Sequence, residues 1–216
     1  MGAFVDITAA DGHQLAAYLA TPPGKPRGAL VVVQTAFGVD DYLRGVCDAY
    51  AGEGYAAIAP ALYDRQQRNA VFEHTPEGGK AAGALRNRFV WADVLKDVEA
   101  ARLRVKDFGK VGILGFCVGG SIVWFAAQKL DFACGSSYYG KDIVDFLQPA
   151  PKCPVIMHFG AEDHLIPLAD VEKIRSAYPE VPNYVYAAGH GFDSKEGEPT
   201  RAARSRTRDL FAKFIG

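Results

Sequence analysis

Few long apolar stretches occur in these 216 residues, and an uninterrupted one near the start, Ala29–Val33, is only five residues long. A helix needs roughly 20 apolar residues to span a bilayer, so this run reads as a buried strand. Cysteine is sparse: Cys47, Cys117, Cys134 and Cys153 lack a CxxC pair and the tight spacing of a disulfide scaffold. A chain of this length builds a core without staples, so four free thiols are expected. No charge of one sign dominates, since 24 basic side chains face 25 acidic ones for a formal net charge of -1. That balance speaks against nucleic acid or an anionic membrane as partners. The N-terminus lacks a basic segment followed by an apolar one, and Asp6 stands where a myristoylation signal wants Ser or Thr, so a cytoplasmic protein is expected,. Internal repeats and low-complexity tracts are missing, and the Pro/Gly clusters are short enough to be turns, which reads as one domain over residues 1–216,. With no cysteine cluster and no H-E-x-x-H pattern, His158 and His164 beside Asp163 do not read as a metal site, and no cofactor is called for.

What is present is alternation. Short β-rich runs at Phe4–Ile7, Leu15–Leu19, Ala29–Val33, Ala56–Ala59, Val111–Leu114, Phe132–Ser136, Val155–His158 and Tyr184–Ala187 read as strands,. Helical periodicity falls at Asp41–Gly52, Lys80–Arg104, Val118–Lys129, Leu168–Ala177 and Pro199–Phe214, with a shorter element at Asp142–Leu147,. Strand then helix, repeated after an opening β-rich segment, predicts an α/β fold: a mostly parallel central sheet with helices on both faces, entered through an antiparallel edge. In such sheets function gathers at the carboxyl ends of strands, which directs attention to the residues after Val33, Ala59, Leu114, Ser136, His158 and Ala187.

After the strand at Val111–Leu114 comes Gly115-Phe116-Cys117-Val118-Gly119-Gly120 and then a helix. Small residues on either side of Cys117 permit the sharp strand-to-helix turn of a nucleophile elbow. At a helix start the thiol meets the positive end of the helix dipole, which favours the reactive thiolate. Alone, such a turn could equally hold a packed cysteine. Two further strand ends change the balance. Val155–His158 leads to Asp163 in Gly160–Pro167, and Tyr184–Ala187 leads to His190 in Gly189-His190-Gly191-Phe192. Nucleophile, acid and histidine at successive strand ends is the α/β-hydrolase order.

At these residues the sequence resembles the dienelactone hydrolase family, whose elbow reads G-x-C-x-G-G, whose acid lies in G-x-x-D-H-x-x-P, and whose histidine follows Ala-Gly. Gly115–Gly120, Gly160–Pro167 and Ala188-Gly189-His190 match these patterns, as do Gln34–Val39 and the segments from Gly54-Tyr55 to Pro60–Arg65. The resemblance implies a hydrolase of small esters or lactones with an α/β-hydrolase fold. Cys117 would attack the carbonyl carbon, His190 would shuttle protons and Asp163 would hold the imidazole. The backbone N–H groups of Ala36 and Val118 would form the oxyanion hole. Thr35, Phe37, Tyr139 and Phe192, with Trp91 further off, are candidates to line the substrate pocket.

The pattern is broken at two places. Thr35 stands where the family usually carries a Glu that helps generate the thiolate, and a Thr hydroxyl takes no proton in that way. This leaves direct Cys117–His190 pairing, different substrates or low activity. Gly191 and Ser194 stand where the best-known members carry Ser and a carboxylate-binding Arg, so the charge of the substrate is open. Arg65, Arg86 and Arg88 read as solvated surface charges. His13 and His74 have no evident partners, and Cys47, Cys134 and Cys153 read as fillers in a helix, a strand and a pre-strand segment. A glutamine amidotransferase is disfavoured because Phe192 occupies the place of its Glu two residues past the histidine. A binding protein that kept the fold and lost the chemistry is the remaining alternative. Monomer and homodimer are not distinguished.

Overall fold

A computed structural model describes residues 1–216. The chain falls into two halves, Met1–Val111 and Gly112–Gly216. In the first, strands β1 (Ala3–Thr8), β2 (Gln14–Ala20), β3 (Gly28–Val33) and β4 (Tyr55–Pro60) lie in the order β1-β2-β4-β3. β1 and β2 form an antiparallel hairpin, β2 pairs antiparallel with β4, and β4 pairs parallel with β3. Every residue of β3 and β4 is buried, as expected of strands covered on both faces, whereas β1 is largely exposed,.

Helix α1 (Asp41–Gly52) begins where Asp40 accepts the Leu43 N–H at 2.9 Å, and it buries Leu43, Cys47, Tyr50 and Ala51 on one stripe,. The single helix expected at Lys80–Arg104 is instead two, α2 (Pro76–Arg86) and α3 (Trp91–Val105). Thr75 caps α2 by accepting the Gly78 N–H, with Pro76 in the first turn, a start signal that the apolar periodicity does not register,. The chain breaks at residues 87–90 because Phe89 turns inward onto Tyr63, 5.3 Å between ring centroids, in a cluster with Ala70, Leu85 and Phe72. Packing that half-buried ring on the cluster favours a break over continuation of the helix,. Trp91 then opens α3.

Arg65 is not a solvated charge. Its guanidinium clamps Asp97 through two bonds of 2.8 and 2.7 Å and reaches Asp11 at 3.0 and 3.1 Å. The Asp97 side chain is 1% exposed, so the pair ties α3 to the segment after β4 from within. Hydrogen bonds from Arg65 hold the Asp11 carboxyl well below the usual carboxylate range. Arg88 is exposed.

In the second half, β5 (Val111–Phe116), β6 (Gly135–Tyr138), β7 (Val155–Gly160) and β8 (Asn183–Tyr186) run parallel in that order. Between and after them lie α4 (Val118–Lys129), α5 (Leu168–Ala177) and α6 (Glu198–Phe214). The short element expected at Asp142–Leu147 is a 3₁₀ turn at Lys141–Asp145. β6 starts later than Phe132–Ser136 suggested, and Cys134 precedes it. The small residues Gly135, Ser136 and Ser137 form this strand because α4 packs close: a Cβ on Gly135 would lie 3.0 Å from Val123. Tertiary packing here overrides a low strand propensity.

A buried polar cluster docks α6. His158, fully buried on β7, meets Tyr186 Oη at 2.9 Å through Nδ1 and Thr207 Oγ1 at 3.2 Å through Nε2. Thr207 also meets Ser136 and Tyr138, each at 2.8 Å. Arg206 donates to Tyr186 Oη at 2.8 Å, so the tyrosine has its own proton to give to Nδ1, and the imidazole N–H is assigned to Nε2,. Burial, reinforced by Arg206, pushes the His158 pKa down to about 3.

Two consequences for stability follow. Replacing Arg65 with Met strands the Asp97 carboxylate in the interior and should cost about 3–5 kcal/mol in urea unfolding at neutral pH. As pH falls from the ordinary histidine value of 6.5 towards 3, the unfolded chain takes up a proton that native His158 refuses,. Stability should therefore decline through that window, by up to about 1.4 kcal/mol per pH unit from this group. His158→Gln, which hydrogen-bonds without titrating there, should flatten the measured slope by that amount.

Candidate active site

The elbow is built from backbone contacts that leave no room for side chains. A Cβ on Gly115 would lie 2.2 Å from Gly119 O, and one on Gly120 would lie 2.3 Å from Tyr138 O. Cys117 between them has φ 57° and ψ -120°, a strained backbone for a residue with a side chain,. Its N–H donates to Tyr138 O at 3.0 Å, and its carbonyl accepts from Gly120 and Ser121 at 2.9 and 3.3 Å, opening α4. The Val118 N–H is one of the donors that a helix start leaves without an intrahelical acceptor. The thiol is partly exposed, whereas Cys47 and Cys134 are buried.

Histidine and acid are brought together by the loops that follow β7 and β8. Ala161 N–H donates to Tyr186 O at 2.7 Å and Glu162 N–H to Ala188 O at 3.0 Å, zipping the two loops side by side. Gly160 permits this approach, since a Cβ there would lie 2.2 Å from Ala188 O. Asp163 then accepts the Leu165 N–H on Oδ1 at 2.8 Å and meets His190 Nδ1 with Oδ2 at 2.7 Å. Its side chain is fully buried and that of His190 is 14% exposed. A carboxylate on Nδ1 places the ring proton there and leaves Nε2 as the basic nitrogen. Nε2 is buried and has no hydrogen-bond partner. Tyr139 lies against the ring, 4.7 Å between centroids, and Phe192 in turn meets Tyr139 edge-on at 5.6 Å. His164 stays 6.4 Å from the His190 ring, and His158 is engaged by Tyr186 and Thr207 as described.

In the first half, the loop after β3 carries Thr35, Ala36 and Phe37. Thr35 Oγ1 accepts the Phe37 N–H at 3.1 Å, Thr35 O accepts the Gly38 N–H at 3.4 Å, and Tyr63 donates to Ala36 O at 2.8 Å. Gln34, fully buried, accepts the Leu62 N–H at 3.0 Å. None of these bonds uses the Ala36 N–H. Phe37 stacks on His74 at 3.9 Å, and His74 Nε2 meets Asp40 at 2.7 Å. His74 is thus partnered, contrary to the expectation from sequence. Its partners come from a segment distant in the chain, and only the role of Asp40 as a helix cap was a local signal.

Sequence reasoning passed over Asp193. It is 1% exposed, three residues beyond His190, and accepts a hydrogen bond from Tyr139 Oη. A carboxylate directly after the apolar Phe192 was the available clue.

Comparison with known proteins agrees with the fold. The profile of the Dienelactone hydrolase family matches residues 15–215. The chain is 34% identical to a Synechocystis protein classed with the carboxymethylenebutenolidases, covering 92% of this chain and 91% of that one. It is 31% identical to the carboxymethylenebutenolidase of Pseudomonas putida, covering 87% and 84%. The crystal structure of a Klebsiella pneumoniae protein assigned to the dienelactone hydrolases superposes with a TM-score of 0.81 at 29% identity, over 98% of this chain and all of that one. No helix is long and apolar enough to cross a membrane. With its mostly parallel α/β-hydrolase fold, the chain belongs to the dienelactone hydrolase family of carboxylic ester hydrolases.

Proposed function

We propose that the protein, acting as one domain over its whole length, hydrolyses small carboxylic esters or lactones through a thioester formed on Cys117. The observation that carries this reading is the His190–Asp163 pair: a buried carboxylate on Nδ1 leaves Nε2 without a partner, in the same half as a cysteine at a strained elbow. In the first step the Cys117 proton passes to His190 Nε2 and sulfur bonds to the carbonyl carbon. The oxyanion so formed is assigned to the N–H groups of Val118 and Ala36. The adduct collapses as the C–O bond to the leaving group breaks and His190 returns the proton to that oxygen. Water then gives a proton to Nε2 and its oxygen to the thioester carbon. Sulfur departs, regains the proton, and a carboxylic acid is released. Asp163 keeps the imidazole in the tautomer that both steps require.

A thiolate is a better leaving group than an alkoxide, so its adduct with a poor ester reverts. The reading therefore favours activated esters and strained lactones over peptides. The aromatic side chains Phe37, Tyr139 and Phe192 suit a small cyclic or aromatic acyl group. Thr35 does not take the place of a thiol-activating carboxylate, because a hydroxyl does not take up the thiol proton, and its oxygen accepts the Phe37 N–H instead,. In this reading His190 deprotonates Cys117 directly, and Thr35 serves to shape the loop.

The test is turnover of p-nitrophenyl acetate and an unsaturated lactone by wild type and Cys117→Ala. Cys117-dependent turnover is expected, and Asp163→Asn should lower kcat by about three to four orders of magnitude through the wrong tautomer. Turnover that survives in Cys117→Ala, or none in wild type on a panel of such substrates, overturns the reading in favour of a binding protein. Iodoacetamide at neutral pH should label Cys117 alone by peptide mapping. Burial raises the Cys47 thiol far above its usual range and those of Cys134 and Cys153 to about 12 and about 11,.

A further inference from the structure

We propose that Tyr139 and Asp193 form a positioning pair that holds the His190 imidazole in register, a role distinct from lining the substrate pocket. The inference rests on the reading of His190 as the catalytic base. Its grounds are four features of one turn and one loop.

The first is backbone strain. Tyr139 has φ 38°, in the left-handed region where a residue with a side chain costs of order 1–3 kcal/mol and persists only if its surroundings impose it,. Gly140 follows immediately, so the strained conformation sits one residue ahead of a position that could adopt it freely. The second is what imposes it. The Tyr139 N–H donates to His158 O at 2.7 Å, and its hydroxyl donates to Asp193 Oδ1. The residue is held by its backbone at one end and its hydroxyl at the other, and it is 2% exposed.

The third is location. The preceding carbonyl, Tyr138 O, takes the Cys117 N–H at 3.0 Å, while the Tyr139 ring lies on the His190 ring at 4.7 Å and 58°. One turn therefore supports the elbow through its backbone and the imidazole through its side chain. The fourth is closure of a loop. From His190 the chain passes through Gly191, at φ 71°, and Phe192 to Asp193, whose carboxylate returns to Tyr139 and so to the face of His190. Arg204 fixes the far side by donating to Asp193 O at 2.7 Å. A carboxylate sealed from water is costly unless hydrogen-bonded, so this bond resists opening. Asp163 fixes the direction of Nδ1 but leaves the ring free to swing about that bond. Tyr139 and Asp193 remove the swing.

The experiment compares Tyr139→Phe, Asp193→Asn and Asp193→Ala with wild type for kcat, KM, thermal midpoint and the His190 imidazole signals in ¹H–¹⁵N spectra. The control is Tyr178→Phe, which removes a buried tyrosine hydroxyl from Leu147 O beyond the end of α5. Tyr139→Phe and Asp193→Ala should lower p-nitrophenyl acetate kcat by about 10- to 100-fold with KM within about twofold, because misplacement of a catalytic group by about 1 Å costs on that scale. Asp193→Asn keeps an acceptor for the hydroxyl and should restore kcat to within about threefold of wild type. In both low-kcat variants the His190 signals should broaden or shift. Tyr178→Phe should leave kcat and those signals alone whatever its thermal midpoint.

Wild-type kcat in Tyr139→Phe alongside Cys117-dependent turnover overturns the proposal and leaves the hydrolase reading standing. If wild type turns over none of the esters, that reading fails, and the spectra still decide: unmoved His190 signals in Tyr139→Phe overturn the positioning pair. Should Tyr139→Phe not fold, the contrast between Asp193→Ala and Asp193→Asn decides alone. Equal activities in these two overturn the pair.

Discussion

The second half of the chain depends on a backbone contact made without side chains, where β5, the first turn of α4 and the turn after β6 meet. Gly115 faces the Gly119 carbonyl, and Gly120 faces that of Tyr138, at distances that admit no Cβ. This contact sets the angle between β5 and α4, forces Cys117 into positive φ and orients its N–H onto Tyr138 O. It also brings the Tyr138–Tyr139 turn to the elbow, so the tyrosine that packs on His190 is placed by the same constraint that places Cys117. The glycines of this motif are thus geometric requirements before they are chemical ones.

Asp163 and His190 are delivered by a different device. Loops are intrinsically mobile, and two separate loops must present Asp163 and His190 within hydrogen-bond reach. The bonds from Ala161 to Tyr186 and from Glu162 to Ala188 join them like a short extension of the sheet, with Gly160 admitting the approach. Below this, His158 and Thr207 bind β6, β7, β8 and α6 into one buried network, each polar group finding a partner. A network of this kind is stiff because no member can leave without stranding another.

Much of this is legible in the chain. Helices α1, α4 and α5 coincide with their expected bounds because their starts are marked locally, by the Asp40 cap of α1, the glycine-bounded turn before α4 and Pro167 before α5,. The errors have common causes. The break between α2 and α3 depends on Phe89 finding Tyr63, and β6 depends on α4 requiring small residues beneath it. Arg65 reads as a surface charge until Asp97 and Asp11, from elsewhere in the chain, close around it. In each case the deciding partner lies outside any local window.

Sequence alone determined the alternation of strand and helix and the placing of Cys117, Asp163 and His190 just past three carboxyl strand ends. These follow from short-range patterns: glycine spacing around a turn, and periodicity that switches between strand and helix. Tertiary structure decided which imidazole nitrogen stays open, how the Thr35 hydroxyl is used, and that Asp193 and His74 have partners at all. These are questions of direction and distance between side chains far apart in the chain, and only packing answers them.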